Sequence, residues 1–133
     1  MTTQIGKAWA AVLFSVAVTA CGPGISQTPA VEIPTLDVTD WTEKTELFME
    51  YPPLVTGQTA LFAVHLTTMN DFKPVTAGRV RIELIPEAGG QPTVLVGPGP
   101  SRPGAFRVEG APPAAGRYRW ALTLDAPGLT DRH

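Results

Sequence analysis

The octapeptide GRVRIELI, residues 78–85, decides the fold class. Val80, Ile82 and Leu84 alternate with Arg79, Arg81 and Glu83, a period of two that gives a β-strand one apolar face and one wet face. Working outward, other short segments repeat the theme between turn residues. TELFMEY (45–51) is stopped by Pro52-Pro53, and TALFAVHLT (59–67) places Phe62, Val64 and Leu66 on one face and Leu61, Ala63 and His65 on the other. PTVLVG (92–97), GAFRVEG (104–110) and GRYRWALTLDAPG (116–128) follow, separated by the turn-forming stretches EAGGQP, GPGPSRPG and GAPPAAG. TTMNDFKPVTAG (67–78) reads as a longer crossover between sheets. Six strands at this spacing predict an all-β, immunoglobulin-like β-sandwich over residues 41–133, one strand short of the usual seven. The chain stops at LTDRH, so the expectation is a C-terminally truncated domain whose last strand is missing and whose core seam is exposed at one edge.

Composition agrees with that class. The 133 residues (14.1 kDa) suffice for one domain with short appendages. With 44% hydrophobic and 17% charged residues the chain is too apolar for disorder, and 14 Pro and 13 Gly are too many breakers for a helical bundle. A formal net charge of −2 and a pI near 5.6, with no Lys/Arg cluster, argue against nucleic acid as a partner. A single cysteine excludes an intrachain disulfide and any CxxC metal or redox motif.

That cysteine sits behind an apolar run. Residues 8–20, AWAAVLFSVAVTA, follow a short polar start carrying Lys7 and are too short for a spanning helix, so residues 1–20 read as a signal peptide. Val18-Thr19-Ala20-Cys21 resembles a bacterial lipobox, an aliphatic residue and two small ones before the cysteine. The resemblance implies a diacylglyceryl thioether on Cys21, cleavage before it and further acylation of the new amino group. Several acyl chains anchor a protein where one binds only marginally. The expected location is the bacterial cell envelope, on the periplasmic side, lipid-anchored to membrane. Residues 21–40, beginning with the lipidated cysteine and rich in Pro and Gly, read as a linker.

Enzymatic chemistry finds little footing. His65 and His133 are the only histidines, no GxSxG-type nucleophile motif is present, and the prolines of GPGPSRPG remove the backbone donors that an anion cradle needs. The chain is therefore read as a non-enzyme. The aromatic residues sit mostly at alternating apolar positions and read as core, with Trp41 and Tyr51, at the ends of the first strand, the ones that this reading allows to be exposed. Arg79, Arg81, Arg117 and Arg119 read as a solvated row, with a contact surface as the alternative.

Residues 41–133 resemble the amino-terminal region of periplasmic adaptor subunits (membrane fusion proteins) of heavy-metal-type RND efflux systems. The resemblance rests on WTEKTELFMEYPPLVTGQTALFAVHLT, DFKPVTAGRVRIEL, SRPGAFRV and AGRYRWALTLDAPGLTDRH. It implies an immunoglobulin-like domain similar to exported domains of the YtkA and FixH type. It also implies that the chain is a fragment of an adaptor that meets an RND inner-membrane pump and an outer-membrane channel through hairpin, lipoyl and β-barrel regions beyond this stretch. The expected function is tethering and docking in transmembrane export, without a required cofactor. The alternative is a stand-alone YtkA/FixH-like copper-binding envelope lipoprotein; a purely structural envelope lipoprotein is the third reading.

The association of that family with heavy-metal export makes Cu(I), Ag(I) or another heavy-metal ion the candidate ligand, for which thioether and imidazole groups suit. The candidate metal residues are Met49, His65, Met69 and His133, with Glu50 as a harder ligand; Met49 and His65 would meet if their strands paired suitably. Each has a plainer reading: Met49 as core filler, His65 as a solvated strand residue, Met69 as crossover packing and His133 as a chain end. No dense MxxM or HxH cluster is present.

Overall fold

A computed structural model describes residues 34–133; residues 1–33, with the expected signal peptide, Cys21 and most of the expected linker, lie outside the described residues. Eight strands are present: β1 (Leu36–Trp41), β2 (Thr45–Tyr51), β3 (Ala60–Thr68), β4 (Arg79–Pro86), β5 (Thr93–Val96), β6 (Ala105–Gly110), β7 (Tyr118–Ala126) and β8 (Leu129–Arg132). They form two antiparallel four-stranded sheets, ordered β1-β2-β3-β6 and β5-β4-β7-β8. The chain is an all-β sandwich of immunoglobulin-like organisation.

The alternation seen in residues 78–85 explains the layers. Val80 and Ile82 are fully buried and Leu84 nearly so, while Arg79 and Arg81 stay in solvent. From β2 and β3 of the opposite sheet, Leu47, Met49, Phe62, Val64 and Leu66 point at them, and Phe106, Val108, Leu122 and Leu124 complete the core. At about 1.5–3 kcal/mol per fully buried large apolar side chain, this shared layer is the main attraction between the sheets. Tyr118 marks the crossing into β7: its hydroxyl donates to the carbonyl of Ala114 at 2.9 Å, the backward bond of a tyrosine corner.

The crossover after β3 carries the chain between sheets as its length suggests. It ends at Gly78, whose φ of +98° and tight approach to Ala126 leave no room for a side chain: a Cβ there would lie 2.5 Å from both the Ala126 Cβ and the Asp125 carbonyl.

Two strands lie outside the six of the sequence reading. β1 occupies residues read as linker, so the folded region starts at Leu36 rather than at residue 41. None of its side chains is buried, which leaves no apolar period to detect; six register pairs with β2, from Leu36↔Tyr51 to Trp41↔Glu46, hold it instead. β8 (Leu129–Arg132) is the second strand that the sequence reading leaves out. The chain turns at Pro127-Gly128, with Gly128 at φ +73°, and Leu129–Arg132 returns along β7. Pro followed by a positive-φ Gly is the residue order of a tight turn, and four residues are too short for periodicity to reveal.

Candidate functional site

The polar residues that come together most closely do so where β8 passes the β1–β2 hairpin. The His133 side chain, just beyond β8, is fully buried, and reciprocal backbone bonds with Leu122 fix its main chain (2.9 and 3.0 Å). Its Nε2 lies 2.8 Å from Thr45 Oγ1, its Nδ1 lies 3.1 Å from Asp40 Oδ2, and Asp131 Oδ2 is 3.7 Å from Nε2. Both Thr42 and Thr45 donate their hydroxyl protons to Asp131 Oδ2. Because the Thr45 proton is committed to Asp131, Thr45 Oγ1 accepts from His133 Nε2–H. Thr42 Oγ1 in turn accepts from the backbone N–H groups of Lys44 and Thr45, both at 3.0 Å.

Burial works to raise the Asp131 carboxyl, but the hydrogen bonds from Thr42 and Thr45, the Arg132 backbone N–H and the attraction of His133 together hold it below the usual carboxylate range. The adjacent Lys44 Nζ donates to the Thr130 carbonyl at 2.7 Å. Around the other side of β8, Arg132 pairs with Glu83 of β4 at 2.8 Å. Both sheets are thus stitched together along β8.

Thr45, His133 and Asp40 stand in hydroxyl–imidazole–carboxylate order, the order in which a general base activates a nucleophile. The arrangement is sealed. Thr45 has no exposed surface, and its proton is held by Asp131, so a substrate cannot reach the hydroxyl in this conformation. The cluster serves as a polar lock.

The metal candidates are dispersed. β2 and β3 do pair, but in a register that sets Met49 opposite Val64 and His65 opposite Phe48. Met49 is fully buried in the core, whereas His65 lies on the outer face of the sheet, half-buried, its ring centroid 6.0 Å from that of Phe48. Adjacent strand positions with opposite parity cannot share an ion, so the Met49–His65 juxtaposition is corrected. Met69 is half-buried just after β3, Glu50 lies on the outer face of β2, and His133 is in the polar lock. Among the described residues no group of three His, Cys, Asp or Glu side chains is arranged to hold a metal ion.

The arginine row is also divided. β4 and β7 run antiparallel, so Arg79 lies opposite Asp125 and Arg81 opposite Thr123 at one end, while Arg119 lies opposite Ile85 at the other. Arg117 pairs with Glu87 at 3.2 Å. Trp41 is exposed, as the sequence reading allows, with its indole N–H on Glu46 at 3.2 Å. Tyr51 instead is half-buried and packs on Phe62 with ring centroids 5.2 Å apart.

One exposed aromatic escapes sequence reasoning. Phe72, in the crossover, is 73% exposed and has φ 55°, a conformation that costs a bulky L-residue strain. It is held there by Thr68, whose carbonyl accepts from the Phe72 N–H (3.0 Å), whose N–H donates to the Lys73 carbonyl (2.8 Å) and whose hydroxyl donates to Asp71. An Asp71–Lys73 ion pair at 3.0 Å braces the loop. Beside it a cleft of about 360 Å³ opens between the crossover and the β7–β8 turn, lined by Thr68, Pro74, Val75, Ala126, Pro127 and Leu129. The class the fold and this surface define is an immunoglobulin-like β-sandwich with an aromatic held out on a braced loop. Comparison of the chain with family models, with curated proteins and with solved structures finds no match.

Proposed function

We propose that this chain is a lipid-anchored envelope protein whose sandwich is a docking module, acting in the periplasmic adaptor component of an RND-type heavy-metal efflux system. The observation that carries the docking role is Phe72, held out on a loop braced by the backbone and hydroxyl bonds of Thr68. An aromatic ordered before contact loses little entropy on binding, which is how interface anchors gain affinity. The anchoring role is supported by the Val18-Thr19-Ala20-Cys21 sequence, and the adaptor role by the resemblance of residues 41–133. In this mechanism Cys21 fixes the chain to membrane, the linker sets the reach, and the end of the sandwich bearing Phe72 packs beside another domain. Proton-driven transport belongs to the pump. The stand-alone copper-binding reading is weakened by the separation of Met49 from His65.

The test combines fatty-acid labelling in a bacterial host with co-purification of this chain with a separately tagged piece of an RND adaptor that carries its hairpin, lipoyl and β-barrel regions. Label on the wild type and none on Cys21→Ala is the expected result for the anchor; label retained by Cys21→Ala overturns it. Capture of that adaptor piece, reduced at least tenfold by Phe72→Ala, is expected for the adaptor role. A labelled chain that does not capture it overturns that role and leaves a free-standing lipoprotein.

A further inference from the structure

The sandwich has four edge strands, β1, β6, β5 and β8. Three carry charge: Asp37 and Asp40 on β1, Arg107 and Glu109 on β6, Asp131 and Arg132 on β8. β5, Thr-Val-Leu-Val, carries none and exposes Val94 (50%) and Val96 (60%). Charge is a usual guard against pairing at a sheet edge.

The main chain of β5 is equally specific. The Gly97 N–H donates to the Val80 carbonyl at 3.0 Å, which makes that pair a hydrogen-bonding one; alternation along the ladder then makes Ile82↔Leu95 and Leu84↔Thr93 hydrogen-bonding pairs too. Val96, opposite Arg81, and Val94, opposite Glu83, are the intervening pairs. Their N–H and C=O groups therefore point away from β4, and no other strand of the described residues pairs with them. The next positions of the same parity, at either end, are Pro92 and Pro98, which have no N–H to offer.

We infer that β5 pairs antiparallel with β5 of a second copy of this chain, about a two-fold axis at Leu95. In that register Val94 exchanges two backbone bonds with the second copy's Val96, and Val96 with its Val94. Sliding the copies by two residues in either direction brings a proline opposite a valine and leaves a valine carbonyl without a donor, so this register alone uses every free group. Leu95 stays on the core side, and the four valines form one strip on the outer face. Across the strip the order becomes Arg81, Val96, the second copy's Val94 and its Glu83, so unlike charges bracket each valine pair. Two four-stranded sheets become one continuous sheet. An isologous pairing of this kind closes after two copies because it consumes the edge that forms it.

Cysteine cross-linking of the full chain, in a Cys21→Ser background, reads the register directly. Val94 and the second copy's Val96 would stand about 5.5 Å apart between Cα atoms, within disulfide reach, whereas two copies of Val94 would stand roughly 8–9 Å apart. A mixture of Val94→Cys and Val96→Cys chains under mild oxidation is expected to give a disulfide-linked dimer, and either variant alone is not. In parallel, sedimentation of the wild type is expected to show a concentration-dependent dimer that Val96→Lys abolishes while circular dichroism is unchanged and the thermal midpoint equals that of the wild type diluted to monomer. A wild type that stays monomeric at all concentrations overturns the inference. Cross-linking of either single variant as efficient as that of the mixture overturns it too, as does a dimer that survives Val96→Lys.

Discussion

The two edges of the second sheet have opposite fates. β8 is covered by its own molecule: Thr42 and Thr45 reach its Asp131, Lys44 caps the Thr130 carbonyl, and Arg132 is held by Glu83. β5 has three apolar side chains, no charge and, among the described residues, main-chain groups that no other strand pairs with. An edge strand exposes backbone groups and side chains to other molecules, and this fold covers β8 with its own side chains, including Lys44 on the Thr130 carbonyl, but not β5. The polar residues gathered at β8 therefore close the sandwich, whereas features available to other molecules lie elsewhere, on β5 and on the Phe72 loop.

Removing the lock has the largest expected effect. Asp131→Ala takes away the common acceptor of two hydroxyls and leaves His133 without its near carboxylate on that strand. Loss of such a largely buried, charge-assisted center costs about 3 kcal/mol, measurable as a lower denaturant midpoint. A loss below about 0.5 kcal/mol, the range of ordinary surface changes, would show that β8 is held by its ladder alone.

Acid acts on the same group. The Asp131 carboxyl is depressed in the folded protein, so its stabilisation is fully present above the ordinary carboxylate value, near pH 4, and is lost as pH falls through the lower folded value. The wild type is thus expected to lose stability on acidification from about pH 4 downward, and Asp131→Asn to lose less over that window. Urea midpoints of both proteins along a pH series check this; parallel curves would assign the acid sensitivity to other groups.

Substitution on the exposed loop changes the sign. Phe72→Gly removes a bulky side chain from a positive-φ position and is expected to raise stability by about 1 kcal/mol, seen as a higher thermal midpoint, while lowering capture of the docking partner. Lower stability would mean that Phe72 contributes packing that its exposure does not indicate. The smallest effect belongs to the open edge: at dilutions where the wild type is monomeric, Val94→Lys is expected to move the midpoint by no more than about 0.5 kcal/mol, because its side chain faces solvent in the single copy. A large loss at such dilution would show that β5 is already covered within the monomer, and would erase the contrast with β8.

How far the sequence could be read depends on burial. β4 was legible because Val80, Ile82 and Leu84 are all in the core and their neighbours are not. β1 was not, because a strand held by backbone pairing with every side chain outside the core leaves no apolar trace. The candidate site was less legible still. Of the lock, sequence reasoning singled out only His133, and for a different chemistry; Asp40, Thr42, Thr45 and Asp131 are common polar residues whose chain separation from it, up to 93 positions, conceals their convergence. A weak signal was available in Thr45, a polar residue at the inward parity of β2, in step with Leu47 and Met49.

The sequence by itself determined the alternation, the turns and therefore the class of fold, because a period of two and the backbone limits of Pro and Gly are local properties. It also placed a lipobox-like cysteine ahead of the folded region. Only the tertiary structure decided that His65 and Met49 face opposite ways, that the arginines are divided between two ends, and that His133 is sealed among carboxylate and hydroxyl groups. Strand register and sheet order bring distant residues together, and a change of one position in register exchanges the two faces of a strand.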